Sequence, residues 1–185
     1  MQAIDALVTR RSATILTEPA PDAGALQLIF ASAVRAPDHG RLRPWRFVVI
    51  HAAARARFGE LLAAHLARTQ PAASEESLQR ERDKALRAPL IVVVAAHVNA
   101  AVKIPPVEQL LSAGVAAGNI MLAAVALGYN AMWKTGAAAY DATLVAALGL
   151  EPVDSIVGFL YLGTDAGKPG AVRGEWRDLV REWRG

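Results

Sequence analysis

The chain has 185 residues, and its 20 Lys and Arg against 17 Asp and Glu give a formal net charge of +3. This length predicts a single domain, residues 1–185, because domains commonly contain about 100–200 residues. Hydrophobic residues make up 54% of the chain and charged ones 20%, which excludes intrinsic disorder as the main state. The absence of cysteine excludes disulfides, thiolate metal sites and a cysteine nucleophile, and it fits a reducing, cytoplasmic location.

The charge pattern argues against nucleic acid and membrane as partners. No block of five or more like charges occurs, and no basic run alternates with aromatic residues as an RNA-binding surface requires. Asp5 and Arg10 interrupt the apolar N-terminus too early for a signal peptide. The apolar stretch Ala113–Gly128 is shorter than the roughly 20 residues of a membrane span, so it predicts a buried helix.

Apolar periodicity and proline positions predict alternating helices and strands in the first half of the chain. Met1–Thr9 is predicted as a short helix, and the prolines of Glu18–Pro21 then interrupt regular structure. A helix capped by Asp22 is predicted to run to about Arg35. The β-branched run Phe47–Ile50 predicts a buried strand, followed by a helix over Ala53–Thr69.

The second half continues the alternation and ends in an amphipathic tail. In order, we expect helix Ser74–Arg87, strand Leu90–Ala96, helix Val107–Gly128, strand Ala131–Trp133, helix Asp141–Gly149 and strand Ser155–Leu162. In the tail, Trp176, Leu179, Val180 and Trp183 share helical spacing. The tail is therefore predicted either to pack as a final helix or to lie on a partner. Strands separated by helices indicate an α/β or α+β sandwich.

The first candidate binding segment is Arg10-Arg11-Ser12, at the end of the first predicted helix. Two guanidinium groups and a hydroxyl within three residues suit a phosphate. The alternative is a solvated helix terminus, where arginine interacts favourably with the helix dipole.

The second candidate is the loop Arg35–Arg46, which contains His39 and lies between a helix and a strand. Loops held by rigid elements often carry function, and this one is rich in hydrogen-bond donors. A basic surface turn is the alternative, but Trp45 beside Pro44 predicts partial burial.

The third candidate is Trp133-Lys134-Thr135-Gly136. A cation, a hydroxyl and backbone N–H groups beside glycine can hydrogen-bond the polar edge of a ligand. A strand exit with an exposed lysine is the alternative. No metal site is indicated, because the histidines show neither HxxxH nor HExxH spacing.

Taken together, these segments resemble a known family. The order is Arg10-Arg11-Ser12, then Glu18–Pro21, then RAPDHGRLRPWRFVVI, a small-residue helix, WKTGA and GFLYLGT. From Met1 to about Gly163, this order and spacing closely resembles the nitroreductase family, and within it the branch of small NAD(P)H nitroreductases. The resemblance implies an α+β fold (an α/β sandwich) with a mixed, mostly antiparallel sheet flanked by helices. It also implies an intertwined homodimer with FMN at each subunit interface.

The resemblance further implies which residues bind cofactors. For FMN, it assigns the phosphate and ribityl chain to Arg10, Arg11 and Ser12, the contacts from the partner subunit to Arg35 and His39, and the flavin lining to Trp133, Lys134 and Thr135. For the nicotinamide nucleotide, NADH or NADPH, it assigns Ala123, Ala124, Val125, Ala126, Leu127 and Gly128. No side chain is assigned as catalytic, because the flavin carries the redox chemistry.

The function implied is an FMN-dependent oxidoreductase. It would transfer hydride from NAD(P)H through the flavin to a nitroaromatic, a quinone or a similar small molecule, by a ping-pong mechanism. One alternative is a flavin-binding module that stores, delivers or senses flavin without turnover. A third is an anion- or nucleotide-binding domain unrelated to flavin, supported by the basic residues alone.

Two positions depart from the family pattern. Lys134 replaces the usual arginine, which exchanges a bidentate fork for a point charge. Arg43 replaces the usual glutamine before Pro-Trp and adds a positive charge. Both departures bear on reduction potential and substrate preference rather than on flavin binding itself.

Overall fold

One five-stranded sheet forms the centre of the computed structural model, which describes residues 2–167 and 176–185. The strands are β1 (Leu16–Thr17), β2 (Trp45–His51), β3 (Leu90–His97), β4 (Asn130–Lys134) and β5 (Asp154–Asp165). Their order is β1-β5-β3-β2, and β4 also pairs with β5. Within the described residues every strand pairing is antiparallel, which confirms the mostly antiparallel sheet of an α+β fold.

Helices surround the sheet. The α-helices of the described residues are α1 (Ala3–Thr9), α2 (Ala23–Ala33), α3 (Ala54–Thr69), α4 (Glu75–Lys84), α5 (Pro106–Ala126) and α6 (Ala142–Ala147). Short 3-10 turns lie at His39–Arg41, Ala137–Tyr140 and Arg177–Leu179. The predicted helices and strands of residues 2–162 are thus confirmed, with ends that differ by a few residues.

The core lies on both faces of β3, the strand between β2 and β5. All of Leu90–Ala96 is buried. The odd-numbered side chains from Ile91 to Ala95 belong to one core cluster with Phe58 of α3. The even-numbered ones from Leu90 to Val94 belong to a second cluster with Ile29 of α2. Because side chains alternate along a strand, a strand covered by helices on both faces must be apolar throughout.

The predicted helix caps are confirmed. In each, a side-chain oxygen accepts a hydrogen bond from a backbone N–H of the first turn: Asp22 from Ala25 (2.8 Å), Ser74 from Ser77 (3.2 Å) and Asp141 from Thr143 (3.0 Å). Such bonds satisfy N–H groups that have no partner inside the helix. After α6, Gly149 adopts the left-handed conformation (φ 73°) expected of a glycine that ends a helix.

α5 has the length and apolarity of a membrane span, with 21 residues and a mean hydropathy of 1.6 over its most apolar window. About 44% of that window is buried inside the protein. Ala116, Ala117 and Ile120 are fully buried and belong to the same core cluster as Val92 of β3. α5 is therefore a core helix, as the sequence predicts for the stretch beginning at Ala113.

The last strand is longer than predicted, and β1 is an additional strand. We expected the strand to end at Leu162, before a glycine, but β5 continues to Asp165 and pairs there with β1. A Cβ on Gly163 would lie 2.7 Å from Pro89 Cδ and 2.8 Å from the Thr17 carbonyl oxygen. Glycine is needed here because the neighbouring backbone comes so close.

The prediction of a packed final helix in the tail is wrong. The described end of the tail contains only the turn Arg177–Leu179. The apolar side chains remain exposed, with Leu179 at 83% and Trp183 at 92% of their accessible surface. Helical spacing alone does not form a helix when no surface of the described chain covers its apolar stripe. The alternative, that the tail lies on a partner, stays a prediction.

Candidate functional site

The segment after α1 lies along the outer edge of β4. The Ala13 N–H donates to the Ala131 carbonyl oxygen (3.1 Å), which holds the segment beside the strand. A groove of about 600 Å³ opens there, lined by Ser12–Ile15, Arg87 and Met132–Lys134. We call it the basic groove, because Arg87 and Lys134 are its charged side chains. Two separate candidate segments of the sequence therefore meet in one place.

A second cavity, of about 370 Å³, adjoins the basic groove and shares Arg87 and Lys134 with it. We call it the inner cavity. Its wall is formed by Leu62, His65, Leu66, Thr69 and Gln70 of α3, by Glu81, Lys84 and Arg87, by Lys134–Ala138, and by Phe159 and Tyr161 of β5. Lys134 and Thr135 are both predicted to line the flavin. Lys134 lies where the two cavities meet, and Thr135 lines the inner cavity.

Arg11 has one guanidinium nitrogen in an ion pair and another without a partner. Its Nη2 lies 2.5 Å from Oδ2 of Asp165, which also accepts from Asn130 Nδ2 (2.9 Å). Oδ1 of Asp165 accepts from the Gly167 N–H (2.9 Å), so the carboxylate is fully engaged. Arg11 Nη1 is buried and has no hydrogen-bond partner within the described residues. A buried donor without a partner is costly, so this nitrogen is a candidate contact for an anion.

Arg10 ends α1 as its C-cap residue. Its backbone N–H donates to the Ala6 carbonyl oxygen (3.1 Å), and the residue is half-buried. The next residues, Arg11 and then Ser12, carry the chain from the end of α1 to the basic groove. The predicted Arg10-Arg11-Ser12 set is therefore fixed at a helix terminus and does not belong to a free loop.

Trp133 extends across a neighbouring strand. A Cβ on Gly158 of β5 would lie 2.1 Å from Trp133 Nε1, so the indole lies directly over the glycine backbone. The half-buried indole packs against the same core cluster as Leu160. Glycine at position 158 therefore sets the position of a side chain at the basic groove.

Arg35 and His39 lie away from both cavities. Arg35 lines a different cavity of about 520 Å³, formed by α1, α2 and α5. Nδ1 of His39 lies 2.6 Å from Oε2 of Glu108, at the start of α5. Neither residue lines the basic groove or the inner cavity of its own chain. The implied role of both residues at the site of a partner subunit stays a prediction.

The predicted nicotinamide segment forms the end of α5 and the turn after it. Ala123 and Ala126 line the same cavity as Arg35, whereas Ala124 is fully buried in the core. The Gly128 N–H donates to the Val125 carbonyl oxygen, and Gly128 adopts φ 88°. Leu127, which is 38% exposed, is the C-cap residue. Only part of the segment can therefore contact a ligand, and its nicotinamide role stays a prediction.

The basic loop before β2 is held in place by its own hydrogen bonds. The Asp38 carboxylate accepts from the backbone N–H groups of Leu42 (3.1 Å) and Arg43 (2.7 Å). Arg43 has φ 49°, a conformation that non-glycine residues seldom adopt. Pro44 is fully buried, and its carbonyl oxygen accepts from the His97 N–H (2.6 Å). The predicted partial burial beside Pro44 is confirmed, and the loop presents its arginines on a fixed backbone.

Burial affects the pKa of Tyr161, which lines the inner cavity, and of Asp141, which contacts the cavity residue His65. Burial raises the pKa of Tyr161 to about 12; the positive charge of Arg87 opposes this rise and the negative charge of Glu81 adds to it. Burial also acts to raise the pKa of Asp141, but hydrogen bonds from His65, the Thr143 N–H and Arg68 outweigh it and hold that pKa below its usual value. Tyr161 therefore keeps its proton, and Asp141 keeps its charge, at neutral pH.

Sequence reasoning assigned no ligand role to most residues of the inner cavity, among them His65, Arg87 and Tyr161. The signal for Arg87 is its position three residues after the end of α4 and two residues before Pro89, which precedes the buried strand β3. Tyr161 gives no such signal, because an aromatic residue in a strand is ordinary core material. Among the described residues, no group of three or more His, Asp or Glu side chains could hold a metal ion.

Comparison with known proteins places this site in context. The profile of the nitroreductase family matches residues 7–164. YdjA of Escherichia coli (strain K12), a protein named provisionally as an NAD(P)H nitroreductase, is 40% identical over 164 residues, which cover 89% of this chain and 88% of YdjA. A provisionally named NAD(P)H nitroreductase of Haemophilus influenzae is 36% identical over 165 residues, covering 89% of each chain.

Solved structures of nitroreductases and nitroreductase-like proteins also match this chain. A provisionally named nitroreductase from Desulfovibrio desulfuricans, solved in complex with FMN, superposes with a TM-score of 0.76 at 28% identity. The match covers 100% of this chain and 98% of that one. A nitroreductase-like protein from Bacillus cereus superposes with a TM-score of 0.83 at 22% identity, covering 100% of this chain and 97% of the other, which establishes the shared fold.

Proposed function

This chain belongs to the nitroreductase family, and on that basis we propose that it is a cytoplasmic FMN-dependent oxidoreductase. It takes hydride from NADH or NADPH and passes it to a nitroaromatic, a quinone or a similar small acceptor. The whole chain, residues 1–185, forms one FMN-binding domain. The observation that carries the proposal is the meeting of Ser12–Ile15 with Met132–Lys134 in the basic groove, because these segments come from distant parts of the sequence.

The donor set of the basic groove fits FMN. A phosphate needs charged and hydroxyl donors, and Ser12 and Lys134 line the groove. Arg11 adds a buried guanidinium nitrogen without a partner in the described residues, directly beside Ser12 in the chain. A flavin ring also needs an apolar wall, which Met132 supplies. We therefore assign the phosphate and ribityl chain to Arg10, Arg11 and Ser12. The flavin lining is assigned to Trp133 and Lys134 of the groove and to Thr135, which lies beside Lys134 at the edge of the inner cavity.

The protein's own contribution to the reaction is electrostatic. Bound FMN supplies hydride transfer in two successive half-reactions, which gives ping-pong kinetics. Lys134 would hold its ammonium group beside a bound flavin, where a positive charge would stabilise the negative charge gained on reduction and raise the potential. Because Lys134 is a point charge, it exerts this effect without the bidentate geometry of arginine.

The complete site is proposed to need two copies of the chain. Arg35 and His39 do not line the basic groove of their own chain, and we propose that they reach the site of a second subunit. Exposed apolar side chains cover α1 and one face of α5, among them Leu7 (55% exposed) and Leu111 (63%). Several large apolar side chains exposed on two helices favour an interface with a partner. The exposed tail, with Trp183, is proposed to lie on the same partner.

The homodimer is tested by its mass in solution. Light scattering after size exclusion should give twice the mass of the chain, and Leu111→Asp should shift it towards the monomer. Leu86→Asp is the matched control, because Leu86 is similarly exposed (55%) and follows α4. A monomeric wild-type chain that still binds FMN would contradict the shared site.

The proposed activity is tested by the visible absorbance spectrum of the purified protein, recorded anaerobically before and after addition of NADPH or NADH. A flavin band that bleaches and returns on addition of a nitroaromatic or a quinone supports the oxidoreductase. A band that persists in the presence of both nucleotides would favour a flavin-storage or sensing module. A protein that stays colourless after incubation with FMN would contradict the cofactor assignment itself.

A further inference from the structure

The inner cavity is a separate compartment beside the basic groove. Its volume of about 370 Å³ lies within the roughly 300–1,000 Å³ of ordinary small-molecule sites. Leu62, Leu66 and Phe159 give it an apolar wall. Arg87 and Lys134, which line both the cavity and the basic groove, add two positively charged side chains. A molecule in this cavity would therefore contact whatever occupies the groove.

Tyr161 brings a buried donor to the cavity. The residue is only 3% exposed, and its ring belongs to the core cluster that contains Phe159. Across the described residues its hydroxyl has no hydrogen-bond partner, although the residue lines the cavity. Burial raises its pKa to about 12, so the phenol stays protonated at neutral pH and can donate. A hydroxyl in a cavity wall that has no protein acceptor can donate its hydrogen bond to a bound ligand.

The charges that face the cavity sum to a positive field. Lys84 and Glu81 form an ion pair with each other, so their charges offset. The ring of His65 contacts the Asp141 carboxylate through Nδ1 (2.9 Å). Arg87 and Lys134, in contrast, have no acidic partner in residues 2–167 and 176–185. Two positive charges therefore remain without a counter-ion in the described part of the cavity wall.

We propose that the inner cavity binds the anionic group of the electron acceptor, and that the preferred acceptors are aromatic carboxylates with a reducible group. The aromatic ring packs against Leu62, Leu66 and Phe159, and the carboxylate accepts hydrogen bonds from Arg87, Lys134 and Tyr161. This inference rests on the proposed function, because it places the acceptor beside a flavin in the basic groove. The groove offers Ser12 to the cofactor phosphate, and Arg11 precedes Ser12 in the chain, so the inner cavity remains for the second substrate.

A matched pair of acceptors tests the proposal. In one turnover, p-nitrobenzoate takes up one hydride from NADPH and one proton, and yields p-nitrosobenzoate, NADP⁺ and water. p-Nitrobenzamide undergoes the same reduction without the carboxylate charge. We expect kcat/KM to favour p-nitrobenzoate about tenfold or more, the effect of one charge-assisted hydrogen bond. Equal values for the two acceptors in the wild-type enzyme would overturn the proposal.

Variants identify the side chains responsible. Arg87→Gln should bring the ratio of the two kcat/KM values close to one by slowing p-nitrobenzoate only. Tyr161→Phe, which removes one oxygen, should lower the ratio by a smaller factor. Arg80→Gln, on the exposed face of α4, and Tyr140→Phe, which is 82% exposed in the wild type, are the matched controls and should keep the wild-type ratio.

Binding of benzoate, measured by calorimetry, provides a readout that does not depend on turnover. The FMN-loaded enzyme should bind benzoate, and Arg87→Gln should weaken this binding about tenfold while the Kd of FMN changes little. If Arg87→Gln instead weakens FMN and leaves the acceptor ratio unchanged, the cavity belongs to the cofactor and the proposal is wrong. If the wild-type chain does not take up FMN, the proposed function has failed. Benzoate binding to the unloaded chain then decides the anion site by itself.

Discussion

Two groups of cations in this protein differ in what faces them. On α4, Arg80 pairs with Glu76, and Arg82 pairs with both Glu60 of α3 and Glu75. At the junction of the basic groove and the inner cavity, Arg87 and Lys134 have no acidic partner in the described residues. The first group is satisfied within the fold. The second keeps its positive field available to a ligand.

The difference has an energetic basis. An exposed ion pair contributes little to stability, so the paired arginines of α4 can change without consequence for a ligand. Cations without counter-ions inside a cleft raise the potential there and attract anions. Arg11 is both a paired and an unpaired cation. One of its nitrogens pairs with Asp165, and another is buried without a partner in the described chain.

The largest effect is expected from Arg11, whose guanidinium is proposed both to stabilise the fold by pairing with Asp165 and to bind the cofactor phosphate. Arg11→Ala leaves the carboxylate of Asp165, which is 16% exposed, without its cation. We expect the free energy of unfolding to fall by about 2–4 kcal/mol, as for a partly buried ion pair that loses one partner. Urea denaturation of the FMN-free protein measures it.

Asp165→Asn separates the two roles of Arg11, because it breaks the pair and keeps the guanidinium. If Arg11 also binds the cofactor phosphate, Arg11→Ala should weaken FMN binding more than Asp165→Asn does. Equal losses of FMN affinity would show that Arg11 acts through structure alone.

The buried phenol is expected to make stability depend on alkaline pH. The pKa of Tyr161 rises from 10.0 to about 12 on folding, so its contribution is fully present below pH 10 and is lost as the pH rises towards 12. Near pH 12 the loss should reach about 2–3 kcal/mol, since one pKa unit corresponds to about 1.4 kcal/mol. Stability curves of wild type and Tyr161→Phe, compared between these pH values, measure it. Tyr140→Phe should behave as wild type, and a Tyr161→Phe curve parallel to that of wild type would count against the assignment.

Removal of Lys134, at the junction of the basic groove and the inner cavity, is expected to weaken FMN binding by a free energy of similar size. Lys134→Ala should raise the Kd of FMN about 10- to 100-fold, because it removes a charge-assisted contact of about 1.5–3 kcal/mol. Quenching of flavin fluorescence measures the Kd. Lys103→Ala is the control, because Lys103 is also exposed but lines neither cavity. Equal affinities of the two variants would remove Lys134 from the cofactor site.

The smallest effect is expected on the outer face of α4. Arg80 and Glu76 are 65% and 80% exposed and lie four residues apart on the helix. Arg80→Gln should therefore change the free energy of unfolding by no more than about 0.5 kcal/mol, and FMN affinity not at all. Thermal denaturation and the same fluorescence titration measure both. A loss as large as that of Lys134→Ala would mean that pairing does not distinguish structural cations from ligand-binding ones.

The sequence predicted the elements well where local chemistry decides them. The caps Asp22, Ser74 and Asp141 and the buried strand from Leu90 follow from side chains that act on their own neighbours. The short strand β1 and the continuation of β5 beyond Gly163 depend on backbone contacts between distant residues, which leave no periodic signal. The prediction of a helix in the tail is wrong although the local signal is present. The spacing of its apolar residues is helical, but no described surface covers them.

The sequence by itself determined the class of fold, the order of elements and the two segments, Arg10-Arg11-Ser12 and Trp133-Lys134-Thr135, that resemble a flavin site. These features depend on residue type and spacing, which a linear chain displays. Only the tertiary structure decided that Arg87 joins Lys134 at the junction of two cavities, that Asp165 pairs with Arg11, and that Tyr161 brings an unpaired hydroxyl to the inner cavity. Charge pairing and burial are relations between residues far apart in sequence, so they come into being only when the sheet brings those residues together.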